Sequence, residues 1–205
     1  MARNVVCISH VSGAGGDEIG RLIAGRLGFL YVDEELIDRA AKLAGIDPEQ
    51  VADEERRKPL LAGFLDYLEE GTSPAVITPP ATPEMPSEAV RAFIRDAIRE
   101  VAARGKVVIV AHAASYAVDV ERRPLRVLVI ASSETREQRV ATAEGLEPME
   151  ASRLIKKSDA GRVDYLKRFY GVTEHPTHYD LVINTDSLSV EQAAALIARA
   201  ASDEP

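Results

Sequence analysis

The chain has 205 residues, of which 46% are apolar and 28% charged, and a net charge of −8. That is enough apolar material for one sizeable core, so a single domain spanning residues 1–205 is expected. The acidic balance excludes broad binding to nucleic acid or to an acidic membrane, both of which demand a dense positive surface. No apolar run approaches the roughly 20 residues of a membrane span, and Met1 to Asn4 lead straight into the first apolar run, so a cytoplasmic location is expected.

Val5 to Ser9 reads as a strand, with the lone cysteine, Cys7, in its middle. Apolar neighbours make Cys7 a core residue and exclude a disulfide framework. Ser12-Gly13-Ala14-Gly15-Gly16 follows, and a helix from about Asp17 places Ile19, Leu22, Ile23 and Leu27 on one face, with Gly28 as its stop. Strand, glycine turn, helix is an arrangement that aims backbone amides at phosphate, and it serves equally as any tight strand-to-helix connection. Against the template G-x-x-x-x-G-K-[ST], only Gly15 matches; His10, Gly16 and Asp17 replace the glycine, the lysine and the hydroxyl. Carboxylates at Asp17 and Glu18 suit a helix N-terminus, worth about 0.3–1 kcal/mol. Beside a polyphosphate they repel unless a divalent cation lies between.

A short strand over residues 29–32 precedes helical patterns at 33–44 and 48–70. Residues 71–86 hold five prolines and sustain neither helix nor central strand, which makes them a Pro-rich loop. Ser87 caps a periodic helix through Val90, Phe93, Ile94, Ala97, Ile98 and Val101, ended by Gly105. Residues 107–110 and 125–130 are continuous apolar runs, as expected of strands covered on both faces of a parallel sheet, and 181–183 is a further short strand. A polar helix runs from Pro148 to about Tyr170, inside a lid-like region at 147–172. Its Arg153, Lys156, Lys157, Arg162, Lys167 and Arg168 read either as a solvated face or as a lid closing on phosphates. In the last helix Ser189 and Gln192 form a capping box, and Ala193, Leu196, Ile197 and Ala200 the buried stripe.

Five strands alternating with helices predict a doubly wound three-layer α/β sandwich around a five-stranded parallel sheet, with ligands at the carboxyl ends of the strands. The glycine turn, Ala111-His112-Ala113 and Ser132-Ser133 all fall at that edge.

The order of the glycine turn, Tyr31-Val32-Asp33-Glu34-Glu35-Leu36-Ile37, Val108-Ile109-Val110, Arg136-x-x-Arg139, Lys157-x-Asp159-x-x-Arg162-x-x-Tyr165 and Tyr179-Asp180-Leu181-x-Ile183-Asn184-Thr185 resembles the cytidylate kinase-like family of P-loop nucleoside monophosphate kinases. The resemblance spans nearly the whole chain. It implies ATP-dependent phosphoryl transfer to a pyrimidine nucleoside monophosphate, with ATP and Mg2+ as cofactors and nucleotides as the partners. It assigns the donor phosphates to Gly13, Ala14, Gly15, Gly16 and Asp17, and the donor base or phosphate side to Arg136 and Arg139. The acceptor falls to Asp159 and Arg162, with His112 nearby and Lys156 or Lys157 standing in for a customary arginine that is Ile155 here. Asp33 and Arg162 are the catalytic candidates, and Asp17 and Asp33 the magnesium ligands.

Each assignment has a structural competitor. Arg136 and Arg139 pair with Glu134 and Glu137 on their own helix, Asp33 caps the helix that follows it, and His112 closes a buried strand. The family pattern S-R-x-x-G-S-G-G-R-E-I also has arginines where this chain has His10 and Asp17, and its G-R-x-A has one where this chain has His112. With three cations gone from the phosphate site, slow turnover is expected. The alternative is a catalytically degenerate nucleotide-binding or regulatory protein on the same fold.

Overall fold

The computed structural model describes residues 2–33, 88–111 and 113–202. In chain order these form β1 (Val5–His10), α1 (Gly16–Leu27), β2 (Leu30–Asp33), α2 (Glu88–Arg104), β3 (Val107–Val110), α3 (Ala114–Ala117), β4 (Leu125–Ile130), α4 (Ser133–Glu144), α5 (Pro148–Tyr170), β5 (Leu181–Asn184) and α6 (Val190–Ala201). The sheet order is β2-β3-β1-β4-β5, every pair parallel. Helices cover both faces, and the expected doubly wound five-stranded sandwich is what the chain forms.

β1 and β3 sit inside the sheet, which explains why neither alternates in polarity: all but one of their residues are buried. On one face Val6, Ile8, Val108, Val110, Val127 and Val129 pack with Ile19 and Ile23 of α1 and with Ala193, Ala194 and Ile197 of α6. Burial of a side chain such as Ile19 contributes about 1.5–3 kcal/mol. Cys7 and Ile109, one residue out of step with that set, point to the opposite face and are equally buried.

Two expectations need correction. The second strand begins at Leu30 rather than at 29, because the Phe29 N–H closes the end of α1 on the Ala24 carbonyl (2.9 Å) and so cannot join the ladder. In α6, Leu196 is half exposed and Ala200 exposed; the buried stripe is Ala193, Ala194, Ile197, Ala198 and Ala201, four alanines around one large side chain, and it packs against α1. The capping box at Ser189 and Gln192 forms as expected, and a second one, Glu147 with Glu150, opens α5 behind Pro148 at its first turn. Of the helix expected at 33–44, Asp33 closes β2 instead, and the rest of it, the helix expected at 48–70, the loop at 71–86, the Ser87 cap and His112 lie outside the described residues.

Candidate functional site

β1 ends at His10, and the chain turns through Val11 to Gly15 before α1 starts at the carboxyl edge of the sheet. Gly13 and Gly15 take the left-handed region, φ +80° and +82°. Space excludes larger residues as well. A Cβ on Gly13 would lie 2.9 Å from the Arg136 carbonyl oxygen, and one on Gly16 2.2 Å from Cγ of His10.

The turn is held through its carbonyls. Nε of Arg136 donates to the Ser12 oxygen (2.6 Å), a guanidinium nitrogen of Arg139 to that of Gly13 (3.4 Å), and the Thr185 hydroxyl to that of Ala14 (3.0 Å). The N–H groups have the opposite fate. Among the described residues nothing accepts from the backbone N–H of Gly13, Gly15, Gly16 or Asp17. Left-handed glycines followed by the open first turn of a helix form a concavity suited to an anion.

Around the turn stand charges that mostly neutralise one another. Arg136 of α4, 6% exposed, grips Asp159 of α5 with two parallel bonds (3.0 and 2.6 Å) rather than Glu134 or Glu137. Arg162 of α5, 5% exposed, donates to the His10 carbonyl (2.8 Å) and is paired with Glu174, which also accepts from the Tyr179 hydroxyl. Burial, with Glu174 beside it, pushes the Tyr179 hydroxyl well above its ordinary pKa, so it stays a donor. Arg139 differs. Its described partners are neutral oxygens, the Thr185 hydroxyl (2.8 Å), the Thr185 carbonyl (2.7 Å) and the Gly13 carbonyl, so its charge is left for the turn.

The structure thus brings together the 13–17 turn, Arg136, Arg139, Asp159 and Arg162. Lys156 and Lys157 are exposed on α5, and their side chains make no hydrogen bond or ion pair among the described residues. Asp17 faces His10 at 3.6 Å, so the two positions where the resembled pattern carries arginines here hold a histidine and a carboxylate in contact. Asp33 ends β2 beside Val110 and lies 3.5 Å from Arg21. Burial first, and then the charges of Asp33 and Asp17, push the Tyr31 hydroxyl above its ordinary pKa. Two carboxylates suit a hydrated magnesium ion carried on a polyphosphate; among the described residues no group of three acidic, His or Cys side chains is arranged to cage a metal.

Sequence reasoning missed Glu174 and the work of Thr185. Thr185 is 1% exposed and joins the turn, the end of β4 and α4. It stood inside the quoted Asn184-Thr185 motif. Glu174 lies beyond the Gly171 stop of α5 in a stretch with no periodicity, and only the fold turns it back onto Arg162.

A parallel sheet in the order β2-β3-β1-β4-β5, with a glycine turn between its central strand and the first helix, is the P-loop kinase fold. Residues 5–187 match the cytidylate kinase-like family, and the chain belongs to that family. Two solved structures resemble it at 16% identity: an uncharacterized protein from Eubacterium ventriosum ATCC 27560 (TM-score 0.65, covering 98% of this chain and 99% of that one) and shikimate kinase from Bacteroides thetaiotaomicron (TM-score 0.53, 95% and 96%). At that identity they show the fold alone. None of the curated proteins matches the chain.

Proposed function

We propose that the chain is a slow ATP-dependent nucleoside monophosphate kinase acting on a pyrimidine nucleotide. The observation that supports nucleotide binding is the set of unspent N–H groups at Gly13, Gly15, Gly16 and Asp17, backed by the unbalanced charge of Arg139. In this reading the turn cradles the donor phosphates through its backbone, with Arg139 behind it. Arg136 holds the turn's shape and orients Asp159, while Arg162 and Asp159 face the acceptor, assisted by Lys156 or Lys157 and by His112. Asp33 receives the hydrogen bond of the attacking phosphate. Asp33 would hold magnesium, whose charge would offset that of the donor phosphates.

The second reading, a degenerate nucleotide-binding or regulatory protein, is favoured by the pairing of Arg136 and Arg162 with carboxylates inside the protein. A cation already committed to a carboxylate gives less to a transition state, and an arginine in that role is worth about 10³–10⁵ in rate.

One pair of measurements decides. Calorimetry with Mg·ATP is expected to show saturable binding, weakened about tenfold or more by Arg139→Gln, the scale of a charge-assisted hydrogen bond. A coupled assay over a panel of nucleoside monophosphates is expected to give turnover below about 1 per second, against about 1–100 per second for ordinary kinases. Asp17→Arg with His112→Arg should raise turnover or tighten triphosphate binding. No heat with Mg·ATP defeats the nucleotide reading, binding without turnover on any acceptor favours the degenerate one, and a fast wild type indifferent to the double substitution shows that the phosphates lie elsewhere.

A further inference from the structure

A cavity of about 580 Å³ is lined by Arg126 near the amino end of β4, by Asp180 just before β5 and by Ser115 and Tyr116 of α3, and no residue of the glycine turn lines it. Its size falls in the range of small-molecule sites. Arg126 enters it from the second position of β4. Leu125, Val127 and Val129 point into the core between the sheet and α1, so Arg126 points to the other face, in register with the fully buried Cys7. An arginine on the inner face of a parallel sheet needs a partner.

None is present among the described residues. Nε of Arg126 is buried with no acceptor, and no described carboxylate pairs with its guanidinium. Asp180, at the same cavity, is engaged otherwise: it accepts from the Arg126 backbone N–H (2.9 Å) and lies 3.7 Å from Arg3. A second orphan lines the same space. Ser115 of α3 is 2% exposed, and its hydroxyl is buried without a partner. By contrast the Tyr116 hydroxyl is satisfied by Nδ1 of His178 (2.9 Å), and the rings of Tyr116 and Tyr179, edge to face at 6.5 Å with 78° between their planes, form an aromatic corner against which a flat group can lie on one ring face.

We propose that this cavity is a second ligand site, distinct from the glycine turn, that takes a small monocarboxylate with a flat apolar body. Its carboxylate satisfies Arg126, with the Ser115 hydroxyl as a further donor, and its body lies against Tyr116 and Tyr179. A single guanidinium balances one charge. Asp119 and Asp180 line the same space and disfavour a phosphate dianion. The site does not depend on the nucleotide reading.

Benzoate, acetate and inorganic phosphate, titrated into the full chain by calorimetry and into arginine-labelled protein by NMR, test it. Benzoate is expected to saturate at one per chain, to bind more tightly than acetate, and to shift the Arg126 Nε–H resonance; phosphate is expected not to saturate. Arg126→Gln should weaken benzoate at least tenfold and Ser115→Ala severalfold, with Mg·ATP displacing none of it. If Arg126→Gln fails to fold, the Ser115→Ala affinity and the Nε–H shift carry the test. The proposal is overturned by the absence of saturable binding, by a preference for phosphate, by undiminished affinity in the variants, or by competition from Mg·ATP.

Discussion

Gly16 shows how one residue type fixes the shape of the site. The His10 ring occupies the space where a Cβ on Gly16 would stand, and the same ring faces Asp17. Gly16→Ala therefore drives His10 from its place. It is expected to destabilise the chain by about 1–3 kcal/mol, the usual cost of overpacking. His10→Ala, combined with it, should return most of that loss, and denaturant unfolding of the two single variants and the double measures the coupling. Strictly additive effects would show that the crowding relaxes without the histidine. None of this was legible beforehand: the substitutions at His10 and Asp17 were visible as missing cations, but their contact with each other depends on how the turn closes.

At the scale of elements, the interior strands β1, β3 and β4 were easy to read because burial on both faces writes itself as runs dominated by valine, isoleucine and leucine. The long polar helix was equally legible, since Pro148 with a capping box and Gly171 mark its ends. The corner joining α4, the glycine turn and β5 was not. Arg136 and Asp159 are 23 positions apart, Arg139 and Thr185 are 46 apart, and no periodicity links residues that meet only when α4 packs on α5 and β5 joins β4. Leu196 misled for a related reason. Helical spacing admitted two stripes, and packing against α1 selected the one made mostly of alanines. Thr185→Val, nearly the same in volume, tests the corner. It deprives Arg139 of an acceptor and the Ala14 carbonyl of a donor in a buried place, so a loss of about 1–3 kcal/mol is expected from urea unfolding. An unchanged midpoint would mean that the corner is held by other bonds.

For the whole molecule, the buried layer carrying Cys7 sets a pH limit. Burial pushes the Cys7 thiol up to about 12 from 9.0, with the neighbouring Arg126 charge opposing the rise. The folded chain keeps the thiol neutral while the unfolded chain ionises, so this contribution is complete below pH 9.0 and declines as pH rises toward about 12. The stability difference between wild type and Cys7→Ala, followed by chemical denaturation, should shrink across that window. A difference constant with pH would place the thiol in contact with water.

The bonds that hold the turn also set when it can exist. The carbonyls of residues 12–14 are held by groups that come much later in the chain, at positions 136, 139 and 185. During synthesis β1 and the glycines that follow it must wait, without their final shape, until the chain has emerged past Thr185. Contacts of such sequence separation form slowly. A nascent or carboxyl-terminally truncated chain should therefore lack the anion cradle even though it contains every glycine of it, which ties ligand competence to completion of the fold.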